Sequence, residues 1–235
     1  MNVSYSKSII LIPTLNEKEN LEKLIPEIFN LMPEISVLIV DDNSNDGTQE
    51  LIENLKQNYS NLFIIKRTGN FGYGRSSIDG FKWILEREYD YLVTMDADLS
   101  HDYNDVSALL EKLRNFDVAA GSRYVKNGGV KNWNLFRRVL SRFANLYVKI
   151  ILNLPITDAT TGFNAYRVNS LKKINFGEIN SNGYAFLVEL KYRLFSVGSK
   201  FAEHPILFSE RREGQSKMSS RIIWESIKLP WQLRF

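Results

Sequence analysis

Short apolar runs alternate with amphipathic segments along the N-terminal half of the chain. Four runs are short enough to be buried strands, namely Ser8–Pro13, Val37–Val40, Leu62–Lys66 and Tyr91–Met95. The segments between them have helical patterns: one follows Asn16, which we expect to cap it, and the others are Gln49–Asn58 and Ser76–Glu88. Strands that alternate with helices predict βαβ units and a largely parallel sheet.

The pattern becomes irregular in the C-terminal part of the chain. We predict a glycine-containing loop over Tyr124–Trp133, a long helix over Leu135–Leu154, and a strand over Phe201–Arg211 that runs into a basic loop. The chain has no internal repeat, low-complexity tract or linker. We therefore expect one α/β domain over residues 1–218, followed by an amphipathic tail over residues 219–235 that suits a membrane interface.

Composition narrows the classes of protein that fit. The 235 residues include no cysteine, which excludes disulfides and thiolate metal sites. The net charge of +3 is small for a nucleic-acid-binding protein, so we expect no nucleic acid among its partners. The first apolar run spans only Ile9 to Ile12, and no run reaches the ~18 apolar residues of a spanning helix. We expect no signal peptide, and a protein that is soluble or lies on a membrane surface.

Acidic residues stand at the ends of two predicted strands. Asp41 and Asp42 follow the second strand, and Asp96 and Asp98 flank a single alanine after the fourth. Ligands of parallel sheets bind at the carboxyl ends of the strands. Hard carboxylate ligands favour Mg²⁺ or Mn²⁺, which complete their coordination with substrate phosphates. We expect Asp96 and Asp98 to bind such a cation, and Asp41 and Asp42 to accept hydrogen bonds from a base or ribose.

Two other classes of protein have related patterns. A phosphoacceptor receiver domain also places paired aspartates after a strand, but it would begin at that strand and need a much shorter chain. A dinucleotide-binding oxidoreductase would carry G-x-G-x-x-G, whereas the glycines of Asn70–Arg75 follow the third strand and do not fit that spacing. We rank both below an enzyme that binds a diphosphate.

Cationic residues follow the acidic ones along the chain. They lie in GSRY, at the start of the long helix and in the basic loop, and they are Arg123, Arg137, Arg138, Arg211, Arg212 and Lys217. Arginine binds phosphate through paired hydrogen bonds, and lysine adds a point charge. Beside a D-x-D sequence, these cations favour an enzyme that binds a diphosphate donor and a phosphate acceptor.

The predicted helix over residues 137–154 has separate apolar and basic faces. Its apolar residues are Val139, Leu140, Phe143, Leu146, Tyr147, Ile150, Ile151 and Leu154. Its basic residues are Arg137, Arg138, Arg142 and Lys149. Such a helix can lie in an anionic membrane interface, or it can pack its apolar face on the sheet and leave its basic face in water. The sequence leaves both alternatives open.

The chain resembles the family 2 glycosyltransferases with a GT-A fold, and specifically the dolichol-phosphate (polyprenol-phosphate) mannose synthases. The resemblance runs from about residue 8 to residue 218, and its segments are IPTLNEKENL, IVDDNSNDGT, MDADLSHD, GSRYVKNGGVKNW, RRVLSRFAN, DATTGFNAYR, GYAFLVEL and EGQSKM. The segments GSRYVKNGGVKNW and GQSKM narrow it to members with lipid-phosphate acceptors. It implies a Rossmann-like, mostly parallel sheet flanked by helices.

The resemblance also implies roles for the matched residues. The residues implied to bind the nucleoside of GDP-mannose are Pro13, Leu15, Glu17, Val40 and Asp42. The residues implied to hold Mg²⁺ or Mn²⁺ on the diphosphate are Asp96, Asp98 and Ser100, with Ala97 beside them. The phosphate contacts implied are Arg123, Arg211 and Lys217, with Arg137 on the lipid phosphate. Of these, the implied catalytic residues are Asp96, Asp98, Arg123 and Arg137.

The implied reaction is an inverting transfer of mannose from GDP-mannose to dolichyl or polyprenyl phosphate. A phosphate monoester has a second pKa near 6, so the acceptor is already an anion and needs no strong base. We expect a structural role for His101. Three features depart from the family pattern: Leu15 stands where an aromatic residue is common, Asn45 replaces the frequent proline of DDxSPDGT, and FGYGRSS, with Arg75, replaces a GLGTA-like turn.

Family members often carry C-terminal membrane helices, which this sequence lacks. The resemblance therefore implies either the short, peripheral form, on the cytoplasmic face of a membrane and with the membrane surface as a partner, or a part of a longer chain. Whether a membrane-anchoring subunit is a further partner stays open. The alternatives that stay open are a related transferase for a UDP-sugar or a saccharide acceptor and, ranked lower, the receiver module or a non-catalytic binder of sugar nucleotides.

Overall fold

The computed structural model describes residues 3–181, 183–209 and 220–235. Strands and helices alternate through the N-terminal half in the order β1 (Ser8–Thr14), α1 (Lys18–Leu31), β2 (Ser36–Asp41), α2 (Thr48–Leu55), β3 (Leu62–Lys66), α3 (Tyr73–Leu85), β4 (Tyr91–Thr94), α4 (Asp105–Lys112) and β5 (Val118–Ser122). The C-terminal half continues with β6 (Gly129–Val130), α5 (Leu135–Leu152), β7 (Asn164–Arg167), α6 (Val168–Leu171), α7 (Gly183–Ser196), β8 (Phe201–Pro205), β9 (Leu207–Phe208) and α8 (Ser220–Arg234).

Within the described residues, seven strands form one sheet in the order β3-β2-β1-β4-β7-β5-β8. All neighbouring pairs are parallel except those of β7, which runs antiparallel to both β4 and β5. A small parallel pair, β6 and β9, stands apart from this sheet. The predicted mostly parallel sheet flanked by helices is confirmed.

The central strands are buried on both faces, so their side chains alternate between two cores. Ile10 and Ile12 of β1 pack in one core with α1 and α4, whereas Ile9 and Leu11 pack in the other with α3 and α7. Helix α3 packs closely on β1, and glycine at position 80 permits this approach. A Cβ on Gly80 would lie only 2.4 Å from Leu11 Cδ1. Each buried aliphatic side chain contributes about 1.5–3 kcal/mol, so these two cores hold the strand ends rigidly in place.

Several predicted boundaries differ from the observed ones. Helix α1 begins at Lys18 with Glu17 at its N-cap, so the prediction that Asn16 caps it is wrong. Asn16 has φ 57° and uses Oδ1 to accept from the N–H of Asn45 at 2.9 Å, which fixes the adjacent loop instead. Helix α3 begins three residues before the predicted start, at Tyr73. The short strands β5 to β7 and β9, and helices α4, α6 and α7, were not predicted as separate elements.

Helix α5 is present nearly as predicted, but most of its apolar face points away from the protein. Its buried residues are Asn145, Val148 and Leu152. Seven large apolar side chains of the helix are 47–76% exposed, and they are Leu135, Phe136, Val139, Leu140, Phe143, Leu146 and Ile150. Most of the predicted apolar face is therefore exposed and not packed on the sheet, whereas Tyr147, Ile151 and Leu154 at its C-terminal end pack with Val148 and Leu152. Among the described residues, no helix is both long and apolar enough to cross a membrane.

Candidate active site

The carboxyl ends of β1, β2, β4 and β5 lie along one edge of the sheet, and the first residues of β7 lie between the last two. Asp42 follows β2 and is tied to β1, because its N–H donates to Thr14 O at 2.9 Å. Asp96 and Asp98 follow β4, and Arg123 follows β5. The edge thus collects two sets of carboxylates and a guanidinium.

Asp42 is held by other residues of the chain. Arg67 donates through Nη1 to Asp42 Oδ1, and the N–H of Gly72 donates to Oδ2 at 2.7 Å. Arg67 also donates through Nε to Asp79 at 2.8 Å and through Nη2 to the carbonyl of Asn70 at 2.7 Å. Asp42 therefore fixes the segment between β3 and α3, and any nucleoside contact from this carboxylate would be shared with Arg67.

The preceding carboxylate, Asp41, has a structural role. It is fully buried and accepts from Ser44 N at 3.0 Å, from Ser44 Oγ, and from Gln49 Nε2 at 2.6 Å. Asp46 completes the same loop by accepting from the N–H groups of Thr48 and Lys18, at the start of α2 and of α1. Because Asp41 has no exposed surface, the expectation that it binds a base or ribose is wrong.

The two aspartates of the D-x-D turn differ in exposure: Asp96 is partly exposed, whereas Asp98 is buried. The N–H of Asp96 donates to His101 Nδ1 at 3.2 Å, and the imidazole stacks on Phe163 with ring centroids 4.9 Å apart. Burial lowers the pKa of His101, so the ring is neutral and Nδ1 can act as an acceptor. His101 therefore fixes the backbone of the turn.

The oxygen donors of this turn fit a hard divalent cation. Asp96 and Asp98 offer carboxylates, and the buried Ser100 Oγ has no hydrogen-bond partner among the residues that the structure describes. Ser100 also donates its N–H to Asp98 Oδ1 at 3.1 Å, which fixes that carboxylate. The described residues contain no group of three or more His, Cys, Asp or Glu side chains that could hold a metal alone. In proteins, Mg²⁺ and Mn²⁺ typically complete their coordination with substrate phosphates.

Arg123 forms a buried ion pair beside the turn. Its Nε and Nη2 donate to the two carboxylate oxygens of Asp158, each at 2.7 Å, and Nη2 also contacts Thr160 Oγ1 at 2.8 Å. Asp158 is fully buried and also accepts the N–H of Arg123. The bidentate pairing with Asp158 fixes the plane of the Arg123 guanidinium. The side chain is therefore held in one orientation, which would suit either a contact with a phosphate or the anchoring of the loop that contains Asp158.

Arg137, at the start of α5, shares an aromatic neighbour with Arg123. The Arg137 guanidinium carbon lies 4.2 Å from the centroid of the Trp133 ring, and that of Arg123 lies 5.5 Å from it. Trp133 is buried and packs edge-to-face on Phe208 of β9. One indole thus brings two cations from different elements to the same region.

The loop from Asp158 to Gly162, here the 158–162 loop, is held from two helices. Lys191 of α7 is fully buried and donates to the carbonyls of Ala159 and Thr161 at 3.0 and 2.9 Å. Asn145 of α5 accepts from the N–H groups of Ala159 and Thr160. Burial, together with the charge of Arg123, lowers the pKa of Lys191 to about 7, although Asp158 and Glu203 oppose the shift. A neutral amine still has two donors for the two carbonyls.

Comparison with known proteins adds to this geometry. Residues 9–175 match the family described as Glycosyl transferase family 2. The chain belongs to glycosyltransferase family 2. The transferase is 40% identical over 219 residues to an undecaprenyl-phosphate mannosyltransferase of Micrococcus luteus, covering 93% of this chain and 90% of the relative. It is 40% identical to a polyprenol monophosphomannose synthase of Mycolicibacterium smegmatis, covering 94% and 84%.

A longer relative is the dolichol-phosphate mannosyltransferase of Pyrococcus furiosus, which is 35% identical and of which the transferase covers 63%. Among solved structures, the transferase is similar in fold to glucosyl-3-phosphoglycerate synthase of Mycobacterium tuberculosis in complex with Mn²⁺ and UDP-glucose. The TM-score is 0.70 at 15% identity, with 97% of this chain and 78% of that chain covered. The predicted GT-A fold is confirmed.

The remaining predicted site residues have varied positions in the transferase. Val40 is fully buried in the core below α3, so only its backbone could contact a ligand. Pro13 is partly buried at the end of β1, Leu15 is exposed, and Glu17 accepts from Asn20 Nδ2 at 2.7 Å. Arg211 and Lys217 lie outside the residues that the structure describes. The nucleoside and phosphate roles of all these residues remain predictions.

Sequence reasoning missed several residues that shape the site. Arg67 follows β3 at the same edge as the carboxylates, so the rule of strand ends could have found it had it been applied to cations. Gly162 and Asp158 lie in DATTGFNAYR, a segment that carried the resemblance without roles for its residues. Lys191 and Asn145 lie on helices and gave no signal in the sequence, because only tertiary packing buries them.

Proposed function

We propose that this transferase moves mannose from GDP-mannose to the phosphate of a polyprenol, at a membrane surface and with a divalent cation. The observation that carries the proposal is the meeting of three features at one edge: the D-x-D turn, the Arg123 and Arg137 pair on Trp133, and a helix whose apolar face is exposed. Diphosphate, acceptor phosphate and lipid chain each have a matching surface there. The names of the relatives supply the sugar and the lipid class.

The chain's own residues divide the work of the reaction. Asp96, Asp98 and the Ser100 hydroxyl would hold Mg²⁺ or Mn²⁺. When bound, the cation would neutralise charge on the departing diphosphate. Arg137 binds the acceptor phosphate, whose oxygen is already an anion and attacks the anomeric carbon directly. In-line attack inverts that carbon. Arg123 adds a fixed positive charge to the side of the site where the phosphates meet.

The exposed face of α5 supplies the membrane contact. Its apolar side chains would enter the lipid interface, and the adjacent basic residues would attract anionic headgroups. Helix α8 extends this surface, because the Tyr147 hydroxyl donates to Ile227 O at 2.7 Å and accepts from Trp231 Nε1 at 2.8 Å. Trp231 and Phe235 are exposed and stack on each other. The transferase therefore binds a polyprenyl acceptor while the hydrocarbon chain of the acceptor stays in the bilayer.

The direct test is a panel of GDP- and UDP-sugars incubated with polyprenyl phosphate in anionic vesicles and with Mg²⁺ or Mn²⁺. Mass spectrometry of the lipids identifies the product. We expect mannosyl phosphopolyprenol from GDP-mannose, and none in chelator. Preferred use of a UDP-sugar would replace the donor assignment, and transfer to a saccharide instead of the lipid would replace the acceptor assignment.

The acceptor role of Arg137 has a matched control on the same helix. We expect Arg137→Ala to raise the KM for polyprenyl phosphate about tenfold with little change in the KM for the sugar nucleotide, because a charged hydrogen bond contributes about 1.5–3 kcal/mol. Arg142→Ala removes the same charge from an exposed position, and with the acceptor supplied in neutral vesicles, where headgroup attraction does not contribute, it should leave both constants nearly unchanged. An effect of Arg137→Ala on the donor alone would contradict the acceptor role.

A further inference from the structure

The Tyr73 hydroxyl and the Asp96 carboxylate both border the space that a side chain of residue 162 would occupy. A Cβ at position 162 would be 3.0 Å from Tyr73 Oη, 3.3 Å from Asp96 Oδ1 and 3.5 Å from Asp96 Oδ2. The hydroxyl and the carboxylate therefore border one small space, which exists because residue 162 has no side chain. Gly162 does not have a positive φ, so the space, and not the backbone conformation, requires glycine.

Packing fixes the position of the Tyr73 ring. Tyr73 is the first residue of α3, and the preceding Gly72 donates its N–H to Asp42. The ring packs edge-to-face on Phe186 of α7 with centroids 6.3 Å apart. Helix α7 approaches closely here, because a Cβ on Gly74 would lie 3.0 Å from Phe186 Cγ. The ring is thereby held with its hydroxyl beside Gly162, on the side of the D-x-D turn.

The backbone and the carboxylate of Asp96 have different neighbours. His101 accepts its backbone N–H and fixes the turn, but this bond leaves the rotation of the carboxylate undetermined. A neighbouring hydroxyl can donate to one carboxylate oxygen and leave the other to a cation. Groups that orient metal-binding carboxylates in this way typically contribute 10–100-fold to metal affinity.

We propose that Tyr73 is a positioning residue of this transferase, whose hydroxyl orients the Asp96 carboxylate toward the divalent cation. The inference rests on the proposed function in one respect, namely that Asp96 binds the cation. It adds a residue to the site from α3, an element to which sequence analysis gave no role in cation binding. It also explains why residue 162 is glycine, because a side chain there would enter the space between the hydroxyl and the carboxylate.

The test is Tyr73→Phe, which removes the hydroxyl and keeps the ring. Binding of Mn²⁺ is measured by electron paramagnetic resonance with and without GDP, and binding of GDP in chelator is measured by calorimetry. We expect roughly a 10–100-fold loss of Mn²⁺ affinity with unchanged GDP affinity in chelator. Tyr5→Phe is the matched control. It removes a hydroxyl from a residue that precedes β1 and that bonds Ser107 Oγ of α4 at 2.7 Å, and neither residue belongs to the candidate site.

A second variant tests the geometry itself. Gly162→Ala adds a methyl group between the hydroxyl and the carboxylate, so it should lower Mn²⁺ affinity by a similar factor. In a double-mutant cycle, Tyr73→Phe and Gly162→Ala together should lose little more than either alone, because both remove the same interaction. Fully additive losses would overturn the inference, as would Tyr73→Phe with the Mn²⁺ affinity of the unchanged protein or with an equal loss of GDP binding in chelator.

Asp96→Asn separates failure of this inference from failure of the proposed function. If Asp96→Asn loses Mn²⁺ and Tyr73→Phe retains it, Asp96 binds the cation without help from Tyr73 and only the inference fails. If Asp96→Asn binds Mn²⁺ as tightly as the unchanged protein, the cation site itself is wrong and the proposed function fails with it.

Discussion

At the ends of β1 and β2 almost every polar side chain is bonded to another residue of the chain, whereas on α5 a row of large apolar side chains faces away from it. Asp42 is held by Arg67 and Gly72, and Asp41 is fully buried. Phe143, by contrast, is 66% exposed, although Val148 on the opposite face of the same helix is 5% exposed. The polar side chains at the ends of β1 and β2 are thus stabilised by contacts within the chain, whereas most of the large apolar side chains of α5 are exposed.

The difference follows from what each region would bind. A sugar nucleotide is recognised through directional hydrogen bonds, and these are strong only when their donors and acceptors are already in place. A membrane surface is recognised through apolar area and diffuse charge, which need no fixed geometry. The 158–162 loop joins α5 to the β4 and β5 part of the same sheet edge, because Asn145 accepts from Ala159, Asp158 accepts from Arg123, and Thr94 Oγ1 donates to Gly162 O.

The largest effect is expected at the carboxylate region. Asp98→Asn should lower kcat about a thousandfold, because a neutral amide is a poor ligand for a hard cation and each 1.36 kcal/mol is a factor of ten. The fold should be unchanged by circular dichroism. Asp102→Asn, four residues along in the same segment, is the control and should retain activity. Full activity of Asp98→Asn, or of the unchanged protein in chelator, would contradict cation dependence.

The second effect concerns the 158–162 loop, which joins α5 to the sheet edge. Burial lowers the pKa of Lys191 to about 7 from 10.5, so between these values the unfolded chain binds more protons than the folded one and stability rises with pH. The slope is about 1.4 kcal/mol per pH unit for one group. Lys191→Met should remove this dependence in urea denaturation measured above neutral pH. A stability difference between variant and unchanged protein that is constant with pH would mean that Lys191 stays charged.

The third effect contrasts the two faces of α5. Phe143→Ala should change the free energy of unfolding by less than about 0.5 kcal/mol, but it should weaken binding to anionic vesicles roughly tenfold. Val148→Ala should do the reverse and cost about 2 kcal/mol of stability with little effect on vesicle binding. Sedimentation with vesicles and urea denaturation measure the two quantities. If both variants only destabilise the protein, the exposed face of α5 has no membrane role.

The smallest effect is that of salt on membrane binding. Basic residues near anionic headgroups contribute about 1 kcal/mol each, and added salt screens this attraction. Vesicle affinity should therefore fall with ionic strength and with the share of neutral lipid, while GDP binding changes less. Vesicle binding that ignores both salt and lipid charge would leave the apolar face as the whole basis of the contact.

The parts of the fold that sequence predicted are those with a local signal. Strands β1, β2 and β4 are predictable because both of their faces are buried, and the edge strand β3 is predictable because four of its five residues are apolar. Strand β7, with the sequence NAYR, is buried by β4 and β5 on either side, and nothing in its four residues indicates this. Helix α5 was predictable as amphipathic, but the face that it turns outward depends on Asn145 and its partners in the 158–162 loop.

The site divides in the same way. Carboxylates at strand ends were predictable, because the rule that places ligands there needs only the strands. The buried state of Asp41, the pairing of Asp42 with Arg67 and the depth of Lys191 depend on side-chain contacts between distant elements. A lysine on a helix resembles a solvated residue until its neighbours are known. The roles of Arg211 and Lys217 stay predictions, since they lie outside the described residues.

The place of β7 in the sheet has a consequence for the order of folding. β7 inserts between β4 and β5, although both precede it in the chain, so the sheet cannot close until α5 has been passed. Contacts of this kind join residues far apart in sequence, such as Thr94 Oγ1 and Gly162 O at 2.8 Å, and they form slowly because a long loop must close first. In a chain emerging during synthesis, the edge of the sheet that carries the candidate site is therefore unfinished until after residue 167. A stalled intermediate would retain β1 to β3 and lack the completed edge.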